Sequence, residues 1–341
     1  MSNRPLVSVI TPTYNQAAYL GECLQSVANQ TYANWEQIVI DDGSNDSTLS
    51  IVKCFLGDRT KLVRRGHLGI EGLAAAYNTG LSLANGELIA ILEGDDAWPA
   101  SKLDAQVDVF ESPEVVLSWG SGTMIDVKGR TLSPIRPIRN RSGRVAYLDG
   151  STIAKRLLIA NIIVPSSGVI LRRAALERIG GFHQPKGIPY ADLPTWLRLA
   201  AEARSSDLFA YTSDTVVYWR SHSAQFSRAY EDMVVAHSEL VTEFIQRLSH
   251  EQQLDIQLDR KFLHAVNCFV RAKAELAHGN WSAAAEHLRK GWQVDDIAVQ
   301  LPLIIAGIST LAKVDLFRIT HRISNHGSIR GMTTGVGSDR K

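Results

Sequence analysis

The chain has 341 residues, more than one hydrophobic core usually organises, so we expect a main domain and a smaller attachment. Its composition, 45% hydrophobic and 21% charged, excludes a mainly disordered protein, and the formal net charge of +1 gives no overall attraction to nucleic acid. Three widely spaced cysteines argue against a disulfide framework and favour a reducing compartment.

Two apolar stretches of the sequence bear on where in the cell the protein is expected. The first, near the N-terminus, is far shorter than the core of a signal peptide and is interrupted by Pro12. The second, at residues 301–312, falls well short of the roughly 20 residues that span a bilayer as a helix. We therefore expect a cytoplasmic protein, at most peripheral at the inner face of the plasma membrane.

The first hundred residues alternate between strand and helix patterns. Short β-branched or apolar runs predict strands at 6–11, 36–40, 61–64 and 87–92, and helical spacing predicts helices at 17–29, 47–55 and 72–83. This alternation predicts an α/β fold with a mostly parallel sheet, in which ligands bind beyond the carboxyl ends of the strands.

The pattern changes twice after that. From residue 115, short strands mix with helices predicted at 152–159, 174–179 and 194–203 and strands at 168–171 and 215–219. After 229 almost no strand pattern remains, and a hairpin around Gly279 resembles a single tetratricopeptide-type repeat. One copy favours a plain helical hairpin. We divide the chain into a main domain at 1–228, a helical module at 229–324 and a disordered tail at 325–341.

Acidic residues stand at the ends of predicted strands and before one helix. They are Asp41 and Asp42, the segment from Glu93 to Asp96, and Asp192. Adjacent carboxylates repel each other, so such pairs at strand ends favour a role in binding a ligand. Helix capping is the alternative for Asp41, Asp42 and Asp192.

Several linked motifs then carry a specific resemblance. The segments VSVITPTYNQ, IVIDDGSNDST and LANGELIAILEGDD, and a later GGF followed by Asp192 and WLRLA, resemble the family 2 inverting glycosyltransferases in the same order over residues 6–227. The resemblance implies a GT-A type fold, with residues 1–100 as the nucleotide-sugar-binding half and 101–228 as the acceptor half. The helical module follows as an addition.

The same resemblance implies roles for individual residues of the donor half. Pro12 and Tyr14 are expected to line the pocket for the nucleobase. Asp42 is expected to accept a hydrogen bond from the base, Asp41 to support its loop, and Asp95 to approach the ribose.

A metal site is implied next to these residues. Asp96 is the expected ligand of Mg²⁺ or Mn²⁺, since oxygen donors that bridge to a diphosphate suit these ions. Glu93 stands where many relatives carry aspartate, and His222 matches a position that in some relatives contacts the metal or diphosphate. The chain departs from the pattern at Tyr77, where arginine is common, and at Ile70, where asparagine is common.

On the acceptor side, the resemblance implies that Asp192 is the general base that takes the proton from the acceptor hydroxyl. Ala191 replaces the glutamate of the family's Glu-Asp pair, and Pro194 replaces a further aspartate. Trp196 matches an aromatic residue beneath the acceptor, but its helical spacing also fits core packing.

The expected function is transfer of a sugar from a UDP-, GDP- or dTDP-linked donor to a glycan or lipid-linked acceptor, as in bacterial surface polysaccharide or lipopolysaccharide assembly. A sugar-nucleotide pyrophosphorylase is disfavoured, because TPTYNQ replaces its Gly-rich basic loop. A degenerate scaffold acting through its helical tail stays open, as does membrane docking or self-association through residues 301–316. A basic loop has two open interpretations, contact with a lipid-linked phosphate or simple solvation; its arginines are Arg136, Arg139, Arg141 and Arg144.

Overall fold

A computed structural model describes residues 4–138, 143–223, 225, 230–248, 260–291, 306 and 309. Within these residues, nine strands form one sheet in the order β3-β2-β1-β4-β8-β5-β9-β7, with β6 paired to β5. The strands are β1 (Val7–Thr13), β2 (Trp35–Asp41), β3 (Thr60–Arg64), β4 (Leu88–Ile91), β5 (Val115–Ile125), β6 (Thr131–Ile135), β7 (Val145–Asp149), β8 (Ile170–Arg172) and β9 (Leu208–Arg220).

The first half of the sheet is parallel, as the alternation of strands and helices predicts. Strand β1 pairs in parallel with both β2 and β4, and β2 pairs in parallel with β3. Strands β1, β2 and β4 are buried along their whole length. Successive residues face opposite cores: Ile38 and Ile40 join one hydrophobic cluster, whereas Val39 joins the other.

The second half of the sheet is mixed. Strand β8 lies antiparallel between β4 and β5, β9 runs parallel to β5, and β7 runs antiparallel to β9. The location of strand β8 matters for the site, because its pairing with β4 places the segment before Ile170 beside the end of β4. The fold class expected from the sequence is confirmed: a mixed α/β protein with additional C-terminal helices.

The helices lie close to their predicted positions. They are α1 (Ala17–Ala28), α2 (Thr48–Lys53), α3 (Leu73–Leu83), α4 (Lys102–Val107), α5 (Gly150–Ile159), α6 (Arg173–Arg178), α7 (Asp192–Ala201), α8 (Tyr230–Arg247), α9 (Arg260–Ala277) and α10 (Trp281–Gly291). Helix α4 and the strands β6 and β7 were not predicted. Strand β9 is longer than the predicted 215–219, because pairing with both β5 and β7 extends it.

The described helices of the C-terminal module pack onto the second half of the sheet domain. One hydrophobic cluster contains Leu157 of α5 and Leu197 of α7 together with Leu240 of α8 and Phe269 of α9. The module therefore shares a core with the main domain. None of the helices described here combines the length and apolarity needed to cross a bilayer. The predicted boundary after residue 228 and the predicted disordered tail lie outside the described residues.

Candidate active site

Three carboxylates meet in the loop that follows the central strand β4. Glu93, Asp95 and Asp96 each offer an oxygen atom, and these three atoms lie within 4.8 Å of one another. Strand β4 is buried and parallel to β1. The loop that follows it therefore lies at the carboxyl edge of the parallel half of the sheet. The resemblance implies that Asp95 approaches the ribose, whereas here its carboxylate lies in the same group of oxygens as Glu93 and Asp96.

The electrostatics of this cluster favour a bound cation. Burial and the charge of Asp95 raise the pKa of Glu93 to about 7, and burial with the neighbouring Asp95 and Glu93 charges raises the pKa of Asp96 well above its ordinary value. Among the residues described, His222 is the basic side chain that contacts these carboxylates, and none of them forms an ion pair with lysine or arginine. An all-oxygen set of this kind fits Mg²⁺ or Mn²⁺, because a divalent ion would offset the mutual repulsion.

Two serines that the sequence analysis did not single out orient the cluster. Ser167 Oγ donates to Asp96 Oδ2 at 2.6 Å and accepts from the backbone nitrogen of Glu93 at 3.1 Å. Ser166 Oγ donates to Glu93 Oε1 at 2.8 Å. Both serines precede strand β8, so the antiparallel pairing of β8 with β4 brings them here. Their sequence, VPSSG, carries no signal for this role.

Tyr77 supports the same carboxylate from the other side. Its hydroxyl donates to Glu93 Oε1 at 2.7 Å, and its ring stacks on Phe182 with 4.8 Å between centroids. Tyr77 is 2% exposed. At the position for which the resemblance implies arginine, the chain thus places a neutral hydroxyl that is committed to Glu93.

The end of strand β9 reaches the cluster across the sheet. His222 Nε2 lies 2.8 Å from Asp95 Oδ2, and the backbone nitrogen of Arg220 donates to Asp96 Oδ1 at 2.9 Å. Arg220 is 1% exposed, and its Nε donates to the backbone oxygen of Asp95 at 2.8 Å. The structure therefore places His222 beside the predicted metal ligands, and Arg220 is a residue that sequence reasoning missed.

The second acidic loop follows strand β2 and is balanced by cations of the chain itself. Arg64 Nε lies 3.3 Å from Asp41 Oδ2, and Arg65 Nε lies 3.2 Å from Asp42 Oδ1. His67 Nδ1 lies 2.8 Å from Asp42 Oδ2. The side chain of Asp41 also accepts from a backbone nitrogen of its own loop, at 3.2 Å. Asp41 thus contacts the backbone of its own turn.

The two other residues predicted for the base pocket lie at the end of β1. Pro12 is buried within the strand, whereas the side chain of Tyr14 is 39% exposed. The Tyr14 ring stacks on His67, with 3.8 Å between ring centroids and 13° between planes. Because β1 pairs with β2, Tyr14 and Asp42 lie at adjacent strand ends.

Asp192 is the first residue of helix α7 rather than its cap. The cap position is Ala191, no side chain caps this helix end, and Asn161 Nδ2 donates to Asp192 Oδ2 at 2.7 Å. Burial raises the pKa of Asp192, and its charge contributes to the raised pKa of Glu93. Asp192 therefore lies within electrostatic reach of the acidic cluster.

The GGF motif has a structural explanation in the same region. Gly181 has a φ of +88°, and a Cβ there would lie 2.4 Å from Asn78 Oδ1. The side chain of Asn78 accepts from the backbone nitrogen of Phe182 at 2.8 Å and donates to its oxygen at 2.9 Å. Helix α3 is thereby tied to the segment that leads to Asp192.

The remaining candidates lie elsewhere. Trp196 is fully buried in the core, so in this structure it offers no surface to an acceptor. Arg144 forms an ion pair with Asp214 near strand β7, at the edge of the sheet. Arg139 and Arg141 lie outside the described residues, as do residues 301–316 apart from two buried positions.

Known proteins resemble this chain in sequence and in fold. The family model described as Glycosyl transferase family 2 matches residues 8–180, about half of the 341-residue chain. UDP-Glc:alpha-D-GlcNAc-diphosphoundecaprenol beta-1,3-glucosyltransferase WfgD from Escherichia coli is 36% identical over 139 residues, which cover 40% of this chain and 54% of the relative. The chain thus matches about half the length of that relative.

Two further proteins are similar over longer stretches. The putative teichuronic acid biosynthesis glycosyltransferase TuaG from Bacillus subtilis is 30% identical over 200 residues, covering 58% of this chain and 72% of the relative. The solved structure of the mannosyltransferase PcManGT from Pyrobaculum calidifontis, in complex with GDP-Man and Mn²⁺, has a TM-score of 0.57 at 22% identity. It covers 95% of this chain and 88% of that chain. This last similarity concerns the fold alone.

Proposed function

The chain belongs to glycosyl transferase family 2, and from that premise we propose that it transfers a sugar from a nucleoside-diphosphate sugar to a hydroxyl group, with inversion at the anomeric carbon. The observation that carries this proposal is the cluster of Glu93, Asp95 and Asp96 at the carboxyl end of β4. Two buried carboxylates and one partly buried one, none of them in an ion pair with lysine or arginine among the residues described, are suited to a metal-diphosphate.

Glu93, Asp95 and Asp96 would hold the divalent ion, and Mg²⁺ or Mn²⁺ would stabilise the negative charge that develops on the departing nucleoside diphosphate. The chain's own contribution is to fix these oxygens in advance. Ser166 and Tyr77 direct Glu93, while Ser167 directs Asp96, so little reorganisation accompanies binding.

The nucleobase is proposed to stack on Tyr14 and to donate a ring N–H to Asp42. A carboxylate only accepts hydrogen bonds, so it favours uracil, thymine or guanine, which carry a hydrogen on the relevant ring nitrogen. Adenine and cytosine lack a hydrogen at the equivalent nitrogen. The proposed donors are therefore UDP-, dTDP- or GDP-linked sugars.

Asp192 is proposed to be the general base. The acceptor oxygen attacks the anomeric carbon, its proton passes to Asp192, and the bond between that carbon and the phosphate oxygen breaks with the electron pair leaving on the nucleotide. The raised pKa of Asp192 brings the carboxylate closer to the basicity that proton transfer at neutral pH requires. Asn161 positions it by donating to one oxygen.

The acceptor class is proposed from the relatives. WfgD is named for action on alpha-D-GlcNAc-diphosphoundecaprenol, and TuaG is named for teichuronic acid biosynthesis. We therefore propose a glycan or lipid-linked acceptor in surface polysaccharide assembly. Peripheral membrane contact and self-association through the C-terminal helices stay predictions, as does the scaffold alternative.

A donor screen tests the proposal. The purified chain is incubated with UDP-, GDP- and dTDP-sugars, with Mn²⁺ or with chelator, and released nucleoside diphosphate is measured. We expect metal-dependent release from at least one donor, lost in Asp96→Asn and kept in Asp58→Asn, an exposed aspartate outside the site. A pyrophosphorylase would instead consume pyrophosphate and form a nucleoside triphosphate. A scaffold would release and bind nothing, and either result would overturn the proposal.

A further inference from the structure

His67 makes two contacts that resemble those of a ligand. Its imidazole ring stacks on Tyr14 with 3.8 Å between centroids and 13° between planes. Its Nδ1 lies 2.8 Å from Asp42 Oδ2 and 3.0 Å from the Asp42 backbone oxygen. Both neighbours are acceptors, so Nδ1 must carry the hydrogen. The ring thus presents a flat face to Tyr14 and an N–H to Asp42.

The backbone seats the imidazole in this position. Gly43 has a φ of +80°, and a Cβ at this residue would lie 2.9 Å from the backbone nitrogen of His67. The backbone nitrogen of Leu68 also donates to Asp42 Oδ2, at 3.2 Å. Glycine is therefore required at position 43 for the loop to approach this closely. The loop backbone thus places His67 beside Tyr14, while the His67 side chain stays 42% exposed.

We propose that His67 is an internal stand-in for the nucleobase, which a nucleotide must displace in order to bind. The inference rests on the proposed function, in which a base stacks on Tyr14 and donates to Asp42. Those are the two interactions that His67 already makes. A stacked ring needs roughly 3.5–4.0 Å on each side, so a base does not fit between Tyr14 and an imidazole at 3.8 Å.

The contact of His67 with Tyr14 and Asp42 is expected to lower the apparent affinity for nucleotides. A protein whose binding-competent state is only partly populated binds every ligand more weakly by the same factor. Displacing His67 therefore lowers the apparent affinity for UDP, GDP and dTDP equally. If His67 instead contacted the base directly, its removal would weaken binding, and by different factors for a pyrimidine and a purine.

Nucleotide binding to His67→Ala tests the proposal. Loss of one stacking contact and one hydrogen bond is expected to tighten the dissociation constants for UDP and GDP by a common factor, roughly 5- to 50-fold. Leu68→Ala is the matched control, since its side chain is 59% exposed and its backbone donor is kept; it should bind as the parent does. Calorimetry with Mn²⁺ and thermal melts of each variant provide the data.

A second measurement follows His67 directly. In the parent protein without nucleotide, the ring protons of His67 should be shifted upfield by the Tyr14 ring, and the shift should disappear in Tyr14→Leu and on addition of UDP. Absence of that shift, or weaker or unchanged affinity in His67→Ala, would overturn the inference while leaving the proposed function standing. If neither the parent nor His67→Ala binds UDP, GDP or dTDP, the proposed function fails and the inference fails with it.

Discussion

The acidic loops after β2 and β4 lie at the same edge of the sheet but differ in what offsets their charge. After β2, Asp41 pairs with Arg64, and Asp42 pairs with Arg65 and His67. The loop after β4 is held mainly by neutral donors, namely hydroxyl groups and backbone nitrogens. In the described part of the chain, no lysine or arginine side chain forms an ion pair with its carboxylates.

The two loops therefore differ in how their carboxylates are stabilised before a ligand binds. The carboxylates after β2 are paired with cationic side chains of the chain itself, so a ligand only needs to replace one of these partners. The loop after β4 has no lysine or arginine partner for its carboxylates among the described residues, and the cost of placing negative charge there raises the pKa of Glu93 and Asp96. A cation from solution is the natural partner for the second loop and a neutral base for the first.

Asp96→Asn should have the largest effect, because it removes charge from the loop that depends on an external cation. We expect metal-dependent donor turnover to fall by at least about 10³-fold, since metal stabilisation of the leaving group contributes several kcal/mol. Nucleotide release with and without Mn²⁺ measures it. Retained dependence on Mn²⁺ would remove Asp96 from the metal site, and the comparison between the loops would then fail.

Asp192→Asn tests whether Asp192, which lies in neither loop, accepts the proton of the acceptor hydroxyl. Turnover should fall by about 10²- to 10⁴-fold, while the affinity for donor hardly changes. The parent should also lose activity as the pH falls through the raised pKa of Asp192, because the protonated carboxyl accepts no proton.

Asp149→Asn is the matched control for that change. The side chain of Asp149 accepts from the backbone nitrogen of Thr152 and caps helix α5. Since asparagine caps about as well as aspartate, this variant should keep both stability and turnover. If Asp192→Asn behaves in the same silent way, the general-base assignment is wrong.

The free energy of unfolding offers a third test of the unbalanced loop. The carboxyl of Glu93 keeps its proton in the folded protein up to about pH 7, against an ordinary value of 4.5. Between these values the folded state binds more protons than the unfolded state, so stability falls as the pH rises. The metal-free parent should lose roughly 3 kcal/mol over this range.

Glu93→Gln should remove most of that pH dependence, and Mn²⁺ should restore the stability of the parent at pH 8. Denaturation of both proteins in chelator from pH 5 to 8 measures the effect. The control is Glu71→Gln, an exposed glutamate whose variant should follow the parent. Identical pH profiles for the parent and Glu93→Gln would show that the loop after β4 carries no uncompensated charge.

Asp42→Asn should have the smallest effect, since its loop is already balanced. We expect nucleotide affinity to weaken by roughly tenfold, because a hydrogen bond to a charged acceptor is replaced by a weaker one. Dependence on Mn²⁺ should be unchanged. Calorimetry with UDP or GDP provides the measurement, with Asp46→Asn of the same loop as control; loss of metal dependence would erase the distinction between the two loops.

Most strands and helices could be predicted from the sequence, but helix α4 could not. Strand β1 is a short β-branched run, β2 ends in the run IVI before Asp41, and β4 is a continuous apolar run before the acidic segment, so their ends and the carboxylates beyond β2 and β4 were evident. Helix α4 was missed because it is short and begins with Lys102, which looks like a surface residue. In the structure Lys102 is fully buried, its Nζ lies 3.9 Å from the centroid of the Trp98 ring, and burial lowers its pKa well below the ordinary value.

What the sequence by itself determined, then, is the order of strands and helices and the placement of Asp42, Asp96 and Asp192 at element ends, because those depend on local periodicity and composition. Only the tertiary structure decided which groups surround them. Ser167 and Asp96 are 71 positions apart in sequence, and Arg220 and Asp96 are 124 apart. Their contacts arise because β8 lies beside β4 and β9 ends near the same loop, an arrangement set by packing of the whole sheet rather than by any local pattern.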